Sequence, residues 1–397
     1  MDKIIIKKSI EKHISDIIEW RHWLHAHPEL STKEKETSAF IKKTLEAMGL
    51  TVETYNNSYG LTAVIEGNGE GKCLGIRADF DALPVTENTG LAFSSVNEGV
   101  MHACGHDMHT SILLGTAAVL CDLKNEFKGK VKLIFQPAEE ISSMLGSGIM
   151  IDEGCLESPH VDAIIAEHMW PELKAGQIGI RSGVLTAATD KIEITVCGKA
   201  AHGGSTPQKG IDAIVIASEI IVALQSIVSR TAGPFESMVL TIGKISGGTA
   251  YNIVADKVVL TGTMRTVSEE IRTRAVEKLE SICSGIASAM GGTCRIEYTG
   301  SYDLTVNDTD ICDIAENAVK ETDGTEAIRL EYPSMIGEDF SLFTRKIPGC
   351  MYCFGTKKDE SDISSLHQST YAPSDDLLET GVRVMAGIAM QYFEESL

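Results

Sequence analysis

Two kinds of hydrophobic patterning share this chain. In its first part, short and nearly continuous apolar runs (Val64–Ile65, Cys73–Ile76, Val131–Phe135, Ala163–Ala166) alternate with segments of helical spacing at residues 10–26, 32–48 and about 107–123. A strand that is apolar on every residue is covered on both faces, and sheets covered on both faces are built from parallel strands with crossover helices. The spacing therefore predicts an α/β layer with a mixed, mostly parallel sheet flanked by helices. The middle reads differently. Ile192, Ile194 and Val196 alternate with Lys191, Glu193 and Thr195, the period of a strand with one wet face. A long apolar helix (roughly 210–229), two strands (about 238–245 and 252–265), a helix opened by Ser268-Glu269-Glu270 and a strand at 293–299 follow. This is the β-α-β-β-α-β order of a ferredoxin-like α+β unit. The expected organisation is one domain made of 1–185 and 301–397, interrupted by an insert at 186–300.

A length of 397 residues accommodates two such domains. The 35 Lys and Arg against 56 Asp and Glu give a net charge of −21, which argues against nucleic acid or an anionic membrane as partner. The opening apolar run, Ile4 to Ile6, is too short for a signal-peptide core, and no run approaches the ~18 apolar residues of a membrane span. Ten cysteines scattered without a tight framework fit a reducing compartment, so a cytoplasmic protein is expected.

The densest chemistry is Met101-His102-Ala103-Cys104-Gly105-His106-Asp107-Met108-His109, in a chain with only eleven histidines. Cys104 and His106, just before a helix, can aim thiolate and imidazole at one cation, but a single cluster supplies too few ligands to close a site. Glu139-Glu140 follows the Val131–Phe135 run and Gln136-Pro137, at the end of a parallel strand where open α/β sheets place their ligand crevice. Neighbouring side chains diverge there, so one carboxylate can bind metal while the other stays available as a base. His168, after Ala163–Ala166, and His367, in Ser365-Leu366-His367, are further ligand candidates. Asp79 and Asp81, in Arg77–Pro84, are placed to orient ligand imidazoles. His25 and His27 end the first helix and read as structural, favoured by its C-terminal dipole. Cys350-Met351-Tyr352-Cys353 reads as a buried strand rather than a redox pair.

Over Arg77–Pro84, Met101–His109, Phe135–Glu140, Glu167–Pro171, Gly198–Gly204, Gly247–Val254, Gly337–Phe340 and Leu366–Tyr371, the chain resembles the aminoacylase-type metallopeptidases of peptidase family M20. The likeness is to the amidohydrolase branch: hippurate, indole-acetyl-amino-acid and N-acyl-amino-acid hydrolases. The resemblance implies two divalent metal ions on Cys104, His106, Glu140, His168 and His367, with Glu139 as general base and Asp81 supporting a metal-binding residue. It implies that the insert is a lid that commonly makes a homodimer or higher oligomer. His202 would polarise the scissile carbonyl, often across the dimer, and Asn252 and Arg265 would hold the substrate carboxylate. The expected reaction is hydrolysis of N-acyl-L-amino acids. Metallo-carboxypeptidase or dipeptidase activity, deacetylation of N-acetyldiaminopimelate, a Cys104 thiol nucleophile and a catalytically silent relative are the alternatives. A thiolate, imidazole and carboxylate set suits Zn, Mn, Co or Ni. Ala372, where relatives often carry Asp, departs from the pattern at a position that is not a ligand.

Overall fold

The computed structural model describes residues 3–142, 146–359 and 361–395. The chain divides into two compact units. The first contains the residues up to Leu185, Val306–Tyr332 and those from Asp339 onward; the second contains Thr186–Thr305 and Pro333–Glu338. The second unit thus runs five residues past the expected position 300 and takes in Pro333–Glu338 as well. Bonds to its carbonyls recruit that segment: the Ala187 amide donates to Ser334 O, and the Arg265 guanidinium donates to Met335 O. Hydrophobic periodicity carries no trace of such bonds.

The first unit is built on an eight-stranded mixed sheet. Its order is Val52–Thr54, Leu61–Glu66, Lys130–Gln136, Cys73–Asp79, Ala163–Lys174, Gly349–Lys357, Gln177–Ile180 and Glu326–Arg329. The central strands from Lys130–Gln136 to Gly349–Lys357 run parallel, and antiparallel pairs flank them. All of Cys73–Asp79 and nearly all of Gly349–Lys357 are buried, as expected for strands covered on both faces. Helices Lys3–Ala26, His106–Asp122 and Asp376–Glu395 pack together. They meet at Gly115, where an added Cβ would lie 2.6 Å from Val382 Cγ2 and 2.7 Å from Ile17 Cδ1. The strand anticipated at 163–166 continues to Lys174, carrying buried Glu167 and His168 through its middle. Those polar residues broke the apolar run but not the ladder: His168 lies opposite Cys353.

The second unit is a four-stranded antiparallel sheet in the order Thr293–Tyr302, Ala188–Cys197, Lys257–Thr266 and Met238–Gly247. With helices Ala213–Thr231 and Glu269–Ala289, it has the ferredoxin-like arrangement. Asp212 caps the first helix by accepting from the Ile214 and Val215 amides, and Ser268 caps the second through the Ile271 amide. Ile192, Ile194 and Val196 are buried against Ile216, Ile220, Leu224, Leu279 and Cys283. Among the described residues, Ala213–Thr231 is the one helix long and apolar enough to cross a membrane, and its Ala213/Ile216/Ala217/Ile220/Leu224/Ile227 stripe is buried.

Candidate metal centre

The parallel strands end at one edge, and their carboxyl ends carry the polar residues. Cys73–Asp79 leads to Asp81, Lys130–Gln136 leads to Glu139 and Glu140, and the third strand carries His168. Met101–Gly105 lies against the same edge, and Gly105 makes the turn into the helix that begins at His106. Gly105 is left-handed, at φ 89°, and an added Cβ would sit 2.9 Å from Met169 Cγ. Glycine there lets Cys104 and His106 diverge around a tight corner.

The five residues expected to ligate metal come together in overlapping sets. The donor atoms of Cys104, His106 and His168 lie within 4.8 Å of one another, as do those of Cys104, Glu140 and His367, and those of His106, Glu139 and Glu140. Cys104 Sγ is 3.6 Å from His168 Nε2, and Glu140 Oε1 is 3.5 Å from His367 Nε2 and 3.9 Å from His106 Nε2. His106 Nε2 and Glu140 Oε1 are buried without a hydrogen-bond partner among the described residues. Unpartnered donor atoms of these types, converging from different loops, fit a divalent cation.

Two of the imidazoles are oriented from behind. His106 Nδ1 bonds Asp81 O at 2.9 Å and lies 3.3 Å from its carboxylate, leaving Nε2 directed at Glu140. His168 Nδ1 bonds Met169 O at 2.8 Å, which turns Nε2 toward Cys104. His109 is a strut rather than a ligand. Its Nδ1 bonds Asp79 Oδ1 at 2.6 Å and its Nε2 accepts the Met169 amide at 2.9 Å, so both ring nitrogens are engaged. Asp79 is in turn paired with Arg77, which also reaches Asp339.

The electrostatics of the centre call for a cation. Burial raises the Cys104 thiol well above its ordinary range, and Glu140, Glu139 and Asp79 push it further. Burial also raises the Glu140 carboxyl, and Asp81 adds to the shift. Burial alone would lower His106, but Asp79, Asp81 and Glu140 outweigh it and lift the imidazole to about 10. Thiol and carboxylates are thus crowded into one dry pocket, with positive charge stabilised wherever it can reside.

Residues 75–391 match the family described as Peptidase family M20/M25/M40. The N-acetyl-L-cysteine deacetylase of Bacillus subtilis is 39% identical over 355 residues, covering 88% of this chain and 82% of its own. Thermostable carboxypeptidase 2 of Saccharolobus solfataricus is 36% identical over 99% of both chains. The chain belongs to peptidase family M20. Among solved structures, the M20 protein YXEP of Bacillus subtilis, a dinuclear metal-binding peptidase, superposes with a TM-score of 0.84 at 33% identity, over 98% of this chain and 100% of its own.

This M20 hydrolase carries its remaining expected site residues on the second unit. His202 is exposed, and its Nδ1 accepts the Gly204 and Ser205 amides at 3.1 and 3.0 Å. Those bonds put the ring proton on Nε2. Asn252 is also exposed and next to His202, since its carbonyl accepts the Gly203 amide at 2.8 Å. Arg265, on strand Lys257–Thr266, is half-buried, which lowers its pKa, and it bonds Met335 O and Thr189 Oγ1.

His25 is structural, as expected, with partners that the helix alone does not supply. It is buried, with Nδ1 3.0 Å from Asp107 and Nε2 3.2 Å from Glu87, and Arg21 reaches the same Asp107 carboxylate. Besides its place in the last turn of the first helix, it ties that helix to helix His106–Asp122. His27 does bond a carbonyl of its own last turn, Trp23 O, at 2.7 Å. The sequence reading missed Ser31 and Glu34, which touch the loops of the centre from a segment with no metal-ligand spacing. The helical spacing expected from residue 32 took in Thr32, Lys33 and Glu34, whereas the helix begins at Lys35 and leaves Ser31-Thr32-Lys33-Glu34 as a polar turn.

Proposed function

We propose that this hydrolase cleaves the amide bond of N-acyl-L-amino acids, releasing a carboxylic acid and a free amino acid. The observation that carries the reading is the cluster of Cys104, His106, Glu140, His168 and His367 with Glu139 beside it, on an M20 fold. The relatedness to an N-acetyl-L-cysteine deacetylase supports the acyl-amino-acid class. Two divalent ions of the Zn, Mn, Co or Ni class, held by these five residues, would supply a nucleophile at neutral pH and polarise the carbonyl. Glu139 takes the proton of the attacking water and returns it to the leaving amine. Asp81 keeps His106 in the tautomer that presents Nε2. His202 donates from Nε2 to the oxygen that becomes negative in the transition state, consistent with the two amides on its Nδ1. Asn252 and Arg265 bind the substrate's free carboxylate, for which a guanidinium fork is well matched.

The second unit serves as lid and as the surface of a homodimer. Strand Met238–Gly247 lies at the edge of its sheet with Val239 and Ile245 exposed, and Val222, on the neighbouring helix, is 70% exposed. An apolar edge strand is a template for pairing with a second copy. Release of a C-terminal residue from a peptide is the second reading, favoured by the related carboxypeptidase. The proposed chemistry is tested by Glu139→Gln, which is expected to retain the metal content of the wild type and to lower kcat by about 10²–10⁴-fold. Metal analysis and initial rates decide it, and retained turnover refutes the base assignment.

A further inference from the structure

The loop that carries Glu139 is held in an unfavourable backbone conformation, and the group that holds it comes from a distant part of the sequence. Ala138, between Pro137 and Glu139, is a non-glycine residue in the left-handed region at φ 55°. That conformation is disfavoured for a residue with a Cβ, so it persists only where neighbours enforce it. Both of its peptide groups are engaged. The Ala138 amide donates to Glu34 Oε1 at 2.9 Å, and its carbonyl accepts the Gly146 amide at 3.2 Å. Two residues on, the Glu140 amide donates to Asp81 Oδ2 at 3.0 Å, an oxygen that also accepts Ser31 Oγ at 2.6 Å. Glu139 therefore stands between two pinned peptides, and both pins lead back to residues 31–34.

Glu34 is not doing what its position in its own element would suggest. It occupies the N-cap of helix Lys35–Ala47 but makes no side-chain capping bond, and the free Thr37 amide is taken by Glu29 instead at 2.8 Å. Glutamate is not among the favoured capping residues. Its side chain turns inward, fully buried, to Ala138, and Oε2 has no hydrogen-bond partner among the described residues. The backbone bends to allow this, with Thr32 also left-handed at φ 69°. The segment is anchored to the metal-side loop by the Ala82 amide on Glu29 O at 2.9 Å. A buried carboxyl with one oxygen unpartnered among the described residues, which makes no capping bond in its own helix and accepts the amide of a strained peptide, points to a requirement at that peptide.

We propose that Glu34 is a positioning residue for Glu139: by accepting the Ala138 amide it fixes the left-handed turn that sets the direction of the Glu139 carboxylate. The proposal rests on the reading of Glu139 as general base. What the turn requires is an acceptor at the reach of a glutamate side chain, not a charge. Glu34→Gln keeps that acceptor, whereas Glu34→Asp keeps the acid but is one methylene too short.

Two readouts on the full-length protein test this. In the metal-free protein, hydrogen exchange at the Ala138 amide is expected to be unchanged in Glu34→Gln and at least tenfold faster in Glu34→Asp. In the metal-restored enzyme, on the best wild-type N-acyl amino acid, Glu34→Gln is expected to stay within about threefold of wild-type kcat. Glu34→Asp is expected to lose about 10–100-fold in kcat at near-constant KM and metal content, the scale of an ångström-level misplacement. Unchanged exchange in Glu34→Asp overturns the proposal. So does faster exchange with unaltered kcat, which would make Glu34 merely structural, and so does a Glu34→Gln variant as damaged as Glu34→Asp. Glu139→Gln, run alongside, separates the two claims. Activity in that variant defeats the base reading, whereas its inactivity beside an unimpaired Glu34→Asp defeats only the role of Glu34.

Discussion

At the centre, each residue's behaviour is decided by the second atom it touches. His106 and His109 sit three apart on one helix, both fully buried, yet one presents a nitrogen to the pocket and the other does not, because Met169 donates its amide to His109 and, among the described residues, nothing donates to His106 Nε2. Burial lowers His109 to about 4 even beside Asp79, so it stays neutral as a strut. Glu34 shows the opposite sign for an acid. Burial, with the charge of Asp81 behind it, raises its carboxyl to about 8, although the amides of Glu34, Thr32 and Ala138 oppose the shift. An acid with a raised folded-state pKa binds its proton more tightly when folded. Its contribution to stability is therefore full below the unfolded value near 4.5 and is lost as pH rises through about 8. Glu34→Gln removes this dependence. Thermal melts of the metal-free proteins are expected to coincide near pH 5 and to separate by pH 8, with the variant melting higher. Parallel curves across that range would show that Glu34 is not held neutral.

Among elements, the turn from Cys104 into helix His106–Asp122 matters most, because a single glycine separates two of the clustered residues. Gly105→Ala would force a Cβ into a left-handed residue, at a cost of roughly 1–2 kcal/mol, and against Met169 Cγ at 2.9 Å. It is expected to weaken metal retention against a competing chelator by about tenfold or more, since the strain falls between two of the clustered donor residues. Retention equal to wild type would mean that the turn relaxes without disturbing Cys104 or His106. The same turn shows what the sequence could and could not disclose. Cys-Gly-His before an apolar helix, and Glu-Glu after a buried strand, are local patterns, so Cys104, His106, Glu139 and Glu140 and the parallel sheet were readable directly, whereas the lone His168 and His367, candidates by position alone, were assigned as ligands only through the family resemblance. His25 bonds Asp107 across 82 positions, and Glu34 bonds Ala138 across 104. Neither partner leaves a periodic mark, so those braces emerge only when the elements are packed. The long strand through His168 was cut short in the reading for a related reason: polarity ended the apolar run, whereas pairing with Gly349–Lys357 continued the strand.

For the molecule as a whole, the net charge of −21 repels the anionic substrate class proposed above, so local cations must offset the global field. In the proposed reading, Arg265 and the bound metal ions would supply those cations. The second unit's exposed apolar edge should be covered by a second copy. Val222→Asp, which puts a charge on a 70% exposed helix position, is expected to shift sedimentation at micromolar concentration from dimer toward monomer, and an unchanged profile would move the interface elsewhere. The central claim is a metal-dependent hydrolase of acyl amino acids. It is most directly tested by assaying hydrolysis of a panel of N-acyl-L-amino acids, their carboxamides and dipeptides on protein stripped with chelator and restored with Zn, Mn, Co or Ni in turn. The expected result is no turnover in the stripped protein, recovery with at least one metal, and preference for N-acyl amino acids with a free carboxylate. Turnover that survives chelation, or a restored enzyme that cleaves none of these compounds, would contradict it.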